Sequence, residues 1–545
     1  MTTRYTLTVI ALTALAVAGA NTDEAIYDVA IYGGTSAGVA AAVQVRHLGR
    51  TAVLIEPGRH LGGLTSGGLG ATDIGNKAAI GGLSREFYRR VKTHYENPAA
   101  WKQQERESYR SRRQRSGEDT MWTFEPHVAE GIMEEMVREA GVVVVKGERL
   151  DRRGGIDKEG PRILAIRMES GRVFHARRFI DATYEGDLMA LAGVSYHVGR
   201  EGNATYEETL NGVQTEQAVY HQMQLGVDPY VVRGDLSSGL LPGVHAGPPG
   251  EEGAGDHRVQ AYNFRMCLTD AADNRIPFEK PAGYDPRVYE LLLRNFEAGE
   301  DRIPWAPAPM PNRKTDTNNN FGFSTDFIGM SYGWAEADYA TRQTIYRQHL
   351  QYQRGLMWTL ANHPRVPDAI RNEVGLWGNS RDEFPEHDGW SHQIYVREAR
   401  RMISAYVMTQ HHCQGRQVAE DAIGLAAYTM DSHNTQRYVD ADGMVRNEGD
   451  VEVGGFPPFP ISYRSIVPRR SECDNLLVPV CLSASHIAYG SIRMEPVFMV
   501  LGQSAATAAC HSIDEDVSVQ QIDMNRLTRR LKDDGQVLEW TGEKP

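Results

Sequence analysis

Hydrophobic and polar positions change period along this chain, and the changes mark out its elements. Residues 27–33 (YDVAIYG), apolar after Asp28 and ending in glycine, read as a short buried strand. Residues 36–48 are small and apolar at helical spacing, and residues 51–56 (TAVLIE) read as a second buried strand. Together they predict a β-α-β unit of about thirty residues. Residues 127–140 (HVAEGIMEEMVREA) predict an amphipathic helix, and 142–146 (VVVVK) another parallel strand of the same sheet. Residues 162–183 alternate as a hairpin that ends in the apolar RFIDAT.

Between about 200 and 390 the periodicity weakens and Pro, Gly, Trp and Tyr become frequent, notably in 241–256 and 304–311. A mixed α/β, substrate-facing domain is expected over 201–390. Helical spacing returns at 395–410, a buried strand is predicted at 475–482 (NLLVPVCL), and a helix of small residues at 495–511. The expected organisation is a Rossmann-type α/β domain whose first part is 27–200 and whose last part is 391–545.

Composition narrows the class. The chain has 545 residues, 41% hydrophobic and 24% charged, which suits two intimately joined globular domains. Arg4, the apolar run Leu7–Val17 and Ala18-Gly19-Ala20 predict a cleaved signal peptide over 1–20, hence a periplasmic or secreted protein. No later segment is apolar enough to be a membrane helix. A net charge of −13 without a long basic run argues against nucleic acid as a partner. Arg110–Ser116 (RSRRQRS) is locally basic and reads as a solvated helix face. Five cysteines without a C-x-x-C spacing argue against a zinc or dithiol centre, and no metal is expected. Cys473 and Cys481 are close enough to bridge, with buried free thiols as the alternative.

The chemistry starts at Gly33-Gly34-Thr35-Ser36-Ala37-Gly38, between the first strand and helix. Gly33 allows a sharp turn, Gly38 a close helix–strand approach, and the helix N-terminus offers unpaired N–H groups to a pyrophosphate. Thr35 stands where the usual motif has glycine. Glu56 ends the second strand, where a carboxylate can accept from the ribose hydroxyls of an adenosine. After it comes PGRHLGGLTSGGLG (57–70), which a nicotinamide enzyme does not need but an extended flavin cofactor does.

With GGTSAG, LIEPGRHLGGLTSGG, FIDATYEGDL and NLLVPVCLSASHIAYGSIRMEPVFMVLGQSAATAA in this order, the sequence resembles FAD-dependent oxidoreductases of glutathione-reductase type. More narrowly, it resembles a bacterial, often secreted group loosely called FAD-dependent oxidoreductases or putative xanthan lyases. The resemblance implies that Gly33, Thr35, Ser36, Ala37 and Gly38 meet the FAD pyrophosphate and Glu56 the adenosine ribose. It implies that Gly62, Gly63, Thr65, Ser66 and Gly67 line the flavin side, and that Asp181, Ala182 and Thr183 end a strand near the cofactor. Tyr489, Gly490, Ser491, Ile492 and Met494 then pass the ring, with the helix after Glu495 aimed at the flavin N1/O2 edge. His60 is a candidate for a covalent link to the flavin or for a hydrogen-bonding role.

Oxidation of a C–H bond by flavin needs a hydride acceptor, flavin N5, and a base for the hydroxyl or amine proton. His486, ending a buried strand before the flavin segment, is the first candidate for the base, and His433 the second. Arg493 is a candidate for polarising a substrate oxygen. A polar cluster over 312–320, read as a loop pinned on a core, supplies Lys314, Asp316 and Asn318. With Asn263 and Asp326 these suit a hydroxyl-rich ligand. The expected activity is oxidation of a CH–OH group of a sugar, glycoside or polyol, with a quinone, a redox protein or O2 as electron acceptor. An amine or amino-acid oxidase and a flavin-assisted polysaccharide-cleaving enzyme are the alternatives.

Overall fold

The computed structural model describes residues 25–115 and 117–542. The expected signal peptide, 1–20, lies outside them. The glycine turn is short enough to fold locally. β1 (Ile26–Tyr32), α1 (Ser36–His47) and β2 (Ala52–Glu56) form where the apolar pattern places them. A mixed seven-stranded sheet grows around β1, together with α2 (Gly82–Glu96), α3 (Pro126–Glu139), β3 (Val143–Lys146), β4 (Ile156–Glu159), β5 (Arg162–Arg167) and β6 (Val173–Asp181). Its order is β3-β2-β1-β6-β5-β4, with β3, β2, β1 and β6 parallel and β5 and β4 antiparallel. Such a parallel core is the Rossmann-like arrangement that binds dinucleotides.

The far end of the chain enters the same sheet. Leu476 and Leu477 pair in parallel with Phe179 and Ile180 of β6. Only these two residues of the expected 475–482 strand are paired, because Pro479 follows and cannot donate to a ladder. The helix Glu495–Asp514 lies across α1 so closely that a Cβ on Gly502 would stand 2.2 Å from the Ala37 carbonyl oxygen. Glycine and alanine on both helices permit this approach.

A second, five-stranded sheet fills the middle of the chain, with Lys314–Asn319 between Trp305–Met310 and Met266–Thr269. The Asn-rich cluster is therefore mostly a strand, with Asn312 and Arg313 at positive φ before it and Asn320 after it left as loop. A 24-residue helix, Tyr339–Asn362, packs beside it. Its Gln-, Tyr- and Arg-rich sequence hides the helical period.

Two further expectations need correction. Residues 395–410 are not a helix: the segment is irregular apart from the short strand Arg401–Met402, and a helical turn starts only at Gln410. Its arginines 397, 400 and 401 are buried and point to acids on different elements, which no single helix face could reach. The described part of Arg110–Ser116, residues 110–115, is likewise no helix face, because Arg113 turns inward to the Thr72 carbonyl and to Asp73, and Ser116 lies outside the described residues. All five cysteines are buried free thiols. Among the described residues no helix is long and apolar enough to cross a membrane.

Candidate active site

The glycine turn is built tightly. Gly33 has φ +104°, and a Cβ there would stand 2.8 Å from the backbone of Ala182 and Thr183. A Cβ on Gly38 would stand 1.9 Å from the Gly33 carbonyl oxygen. Thr35 replaces the usual glycine with a double role: its hydroxyl donates to the Ala182 carbonyl at 2.7 Å and caps α1 by accepting from Gly38 N–H. Asp181 accepts from the Thr183 hydroxyl at 2.7 Å and from Met189 N–H, which fixes the end of β6 against the turn.

Glu56 accepts from Gly34 N–H at 2.6 Å and Gly58 N–H at 2.5 Å. Burial pushes its pKa up to about 7, against the pull of those two N–H groups. Beside it opens a cavity of about 290 Å³ lined by Thr35, Glu56, Gly58, His60 and Gly63. The donor set at the α1 N-terminus, the ribose-type carboxylate and this cavity fit the diphosphate and adenosine ribose of FAD. Gly62 and Gly63 adopt positive φ here, and Gly62 N–H donates to the Gly34 carbonyl at 2.7 Å. The Ser66 hydroxyl donates to the Leu61 carbonyl, and Gly67 abuts Gln393.

His60 holds Glu130 through Nδ1 at 3.0 Å and stacks on His392, ring centres 3.9 Å apart. The Glu130 bond raises the His60 pKa, while burial pushes His392 down to about 3. Sequence reasoning missed His392, which no local motif marks.

Thr65 and Ser36 both donate to the Glu495 carboxylate, at 2.8 and 2.6 Å, and the Tyr184 hydroxyl donates to it at 2.7 Å. Burial raises the Glu495 pKa, opposed by those hydroxyls. The glycine turn, the flavin-side loop and the C-terminal helix thus meet at one carboxylate. The segment before it, His486–Ile492, is a short helix, with Tyr489, Gly490, Ser491, Ile492 and Met494 all buried. Gly490 sits against the Asp431 carbonyl.

The two candidate bases differ sharply. His486 is fully engaged, with Nδ1 2.7 Å from Glu398 and Nε2 3.0 Å from the Ser432 hydroxyl. His433 is anchored by Nδ1 on Asp326 at 2.9 Å, while its Nε2 lies 3.6 Å from Asp431, beyond a hydrogen bond. Burial and Arg397 press the His433 imidazole towards its neutral form, yet Asp326 and Asp431 together lift its pKa above the ordinary value. Arg493 donates to Asp431 at 3.2 Å and to the Tyr395 hydroxyl at 3.2 Å.

The structure brings Asn263, Asn318 and Asp326 into this neighbourhood. Asn263 donates to Asn318 at 3.1 Å, and Arg397 pairs with Asp326 at 2.9 Å. Asp316 binds Arg265 at 2.7 Å and accepts from Ala71 N–H, just after the glycine loop. Lys314 stands apart, buried among Glu125, Glu383 and Asp382 at 2.7–2.8 Å. Its ammonium thereby pairs with both carboxylates of the Glu125–His127–Glu383 group, the side chains that a cation there would need. In the other such group, His221 already accepts from Phe321 N–H through Nδ1 and holds Glu452 at 3.2 Å through Nε2.

Residues 28–531 match the family described as FAD dependent oxidoreductase. The chain belongs to that family. It is an FAD-dependent oxidoreductase, and FAD is its cofactor. No curated protein matches it. Among solved structures it is similar to the OxyS anhydrotetracycline hydroxylase from Streptomyces rimosus, at 14% identity over 33% of this chain and 36% of that one, TM-score 0.21. It is also similar to the L-amino acid deaminase from Proteus vulgaris, at 14% identity over 32% and 53%, TM-score 0.23. A third is the L-proline dehydrogenase from P.horikoshii, at 14% over 32% and 58%, TM-score 0.23. This chain thus spans less than two thirds of each.

Proposed function

We propose that this oxidoreductase is exported and oxidises a CH–OH group of a sugar, glycoside or polyol, on a glutathione-reductase-type arrangement with the flavin beside the Tyr489–Met494 segment. Bound FAD supplies the hydride acceptor. The observation that carries the reading is the Asp326–His433 pair, whose outer nitrogen is free beside Asp431 and Arg493. Asp326 orients the ring, His433 takes the hydroxyl proton through Nε2, and Arg493 steadies the oxygen that loses it. Asn263, whose side-chain oxygen has no partner, is placed to accept from a neighbouring hydroxyl. His486, closed on both nitrogens, positions Glu398 and is not the base. Reoxidation falls to a quinone, a redox protein or O2.

A second reading, oxidation of an amino acid, is favoured by the buried arginines 265, 397 and 493, any of which suits a carboxylate. Anaerobic addition of neutral sugars, acidic sugars and amino acids to the yellow protein separates the two. Bleaching by saccharides supports the first reading. Bleaching by amino acids alone replaces it.

A further inference from the structure

A wide cleft lined by Ile74–Ala78, Arg112, Arg113, Arg115 and Ala427–Thr429 belongs to neither the cofactor cradle nor the His433 cluster, yet one residue connects it to the latter. It encloses about 1080 Å³, where a site for one small molecule takes roughly 300–1,000 Å³. Five cations line it, Lys77, Arg85, Arg112, Arg113 and Arg115, against two carboxylates, Glu118 and Asp119. The cleft therefore carries three net positive charges on a protein of net charge −13. Lys77 is paired with Glu118, Arg85 with Asp119 and Arg113 with Asp73. Arg112 and Arg115 are exposed, and among the described residues no carboxylate lies within ion-pair distance of either.

Aromatic groups accompany this charge. Tyr428 and Phe456, both half-buried, line it with the arginines, and the Trp122 indole N–H is buried in the lining without an acceptor. Rings beside cationic forks are the means by which proteins hold the apolar face and the carboxylates of a sugar acid.

Tyr428 is the connection. It lines the cleft, and its carbonyl accepts from Ser491. Two residues beyond Ser491 stands Arg493, which bonds Asp431. Arg493 also bonds the Tyr395 hydroxyl, and the Arg265 and Arg397 guanidinium carbons lie 5.7 and 4.6 Å from the Tyr395 ring centre. Each of these three buried arginines keeps one nitrogen without an acceptor: Nη1 of Arg265, Nε of Arg397 and Nε of Arg493. An unpartnered buried donor is costly, and an anion is the ligand that such donors would take.

We propose that the substrate is an acidic saccharide chain, held along the cleft by Arg112 and Arg115, with the carboxylate of its reacting unit taken by Arg265 and Arg397 beside Tyr395. This rests on the reading of the His433 cluster as the oxidising site. A single amino acid would satisfy the inner arginines but leave the outer cleft without a use.

The test uses the full FAD-loaded chain and calorimetric binding of hexagalacturonate, maltohexaose and polyglutamate of matched charge. Hexagalacturonate is expected to bind at least tenfold more tightly than either. The doubly substituted R112A/R115A protein, with its flavin spectrum unchanged, is expected to lose at least tenfold. Equal binding of maltohexaose would overturn the proposal, as would equal binding of polyglutamate or no loss in the variant. Flavin bleaching by neutral sugars without hexagalacturonate binding refutes this inference alone and leaves the sugar-oxidising reading standing. Hexagalacturonate binding without bleaching by any saccharide supports the cleft assignment and refutes that reading.

Discussion

The Ser36 hydroxyl donates to the Glu495 carboxylate at 2.6 Å across 459 residues of chain. It joins the first helix of the cofactor cradle to the first turn of the last long helix. Thr65 and Tyr184 share the same carboxylate, so one buried acid holds four segments in register. In E495A three buried hydroxyls lose their acceptor, at about 1–3 kcal/mol for each group left unpaired. The variant is expected to unfold at lower denaturant and to purify with markedly less FAD. An unchanged midpoint with full flavin content would show that the junction does not depend on this acid.

Glu56 gives FAD binding a pH dependence of known sign. Burial places its pKa at about 7, above the ordinary 4.5, so near neutrality much of it is protonated before the cofactor arrives. Ribose hydroxyls donate best to the ionised form, so binding favours loss of that proton. FAD affinity is therefore expected to strengthen from pH 6 to pH 8 and then level off. In E56Q it should be weaker by roughly tenfold at pH 8 and flat with pH, about 1.4 kcal/mol. Flavin fluorescence titrations at several pH values measure both.

The cradle was legible because its determinants are local. The Gly33 turn, the small residues of α1 and the acid ending β2 lie within one β-α-β unit, where period and spacing carry the information. The substrate side was legible only in its residue types. Asp326 and His433 are separated by 107 positions, and nothing in either local sequence pairs them. The stretch after Tyr395 misled for a related reason. Its arginines, spaced as on a helix, are paired with Asp326, Asp187 and Glu201, partners that the sequence does not place near them. His486 was the first candidate because it ends a buried segment just before the expected flavin contacts, yet Glu398 and Ser432 close it from other segments.

Arg401 tests how far that buried network supports the fold. It bonds Glu201 and Glu398, each at 2.6 Å, and the Ala484 carbonyl at 3.0 Å, with no exposed side-chain surface. Removing one partner of such a pair leaves buried charges uncompensated and typically costs about 3–5 kcal/mol. R401A is expected to lose that much in chemical denaturation. A loss below about 1 kcal/mol would show that water or rearranged side chains replace the guanidinium.

His433 gives the sharpest kinetic expectation. Its imidazole must be neutral to accept a proton, and Asp326 and Asp431 hold its pKa above the ordinary 6.5 despite burial and Arg397. The rate of anaerobic flavin reduction by substrate should therefore rise with pH through a value above 6.5 and reach a plateau on the alkaline side. H433N keeps the Asp326 contact without offering a base. It is expected to retain its flavin, lose about a hundredfold or more in reduction rate, and lose the rising limb. D326N should keep the limb but move it to lower pH, because one of the two carboxylates that stabilise the imidazolium is gone. H486Q is expected to lower stability through Glu398 and Ser432 and to leave the pH limb in place. A limb that survives in H433N and vanishes in H486Q would reverse the assignment of the base.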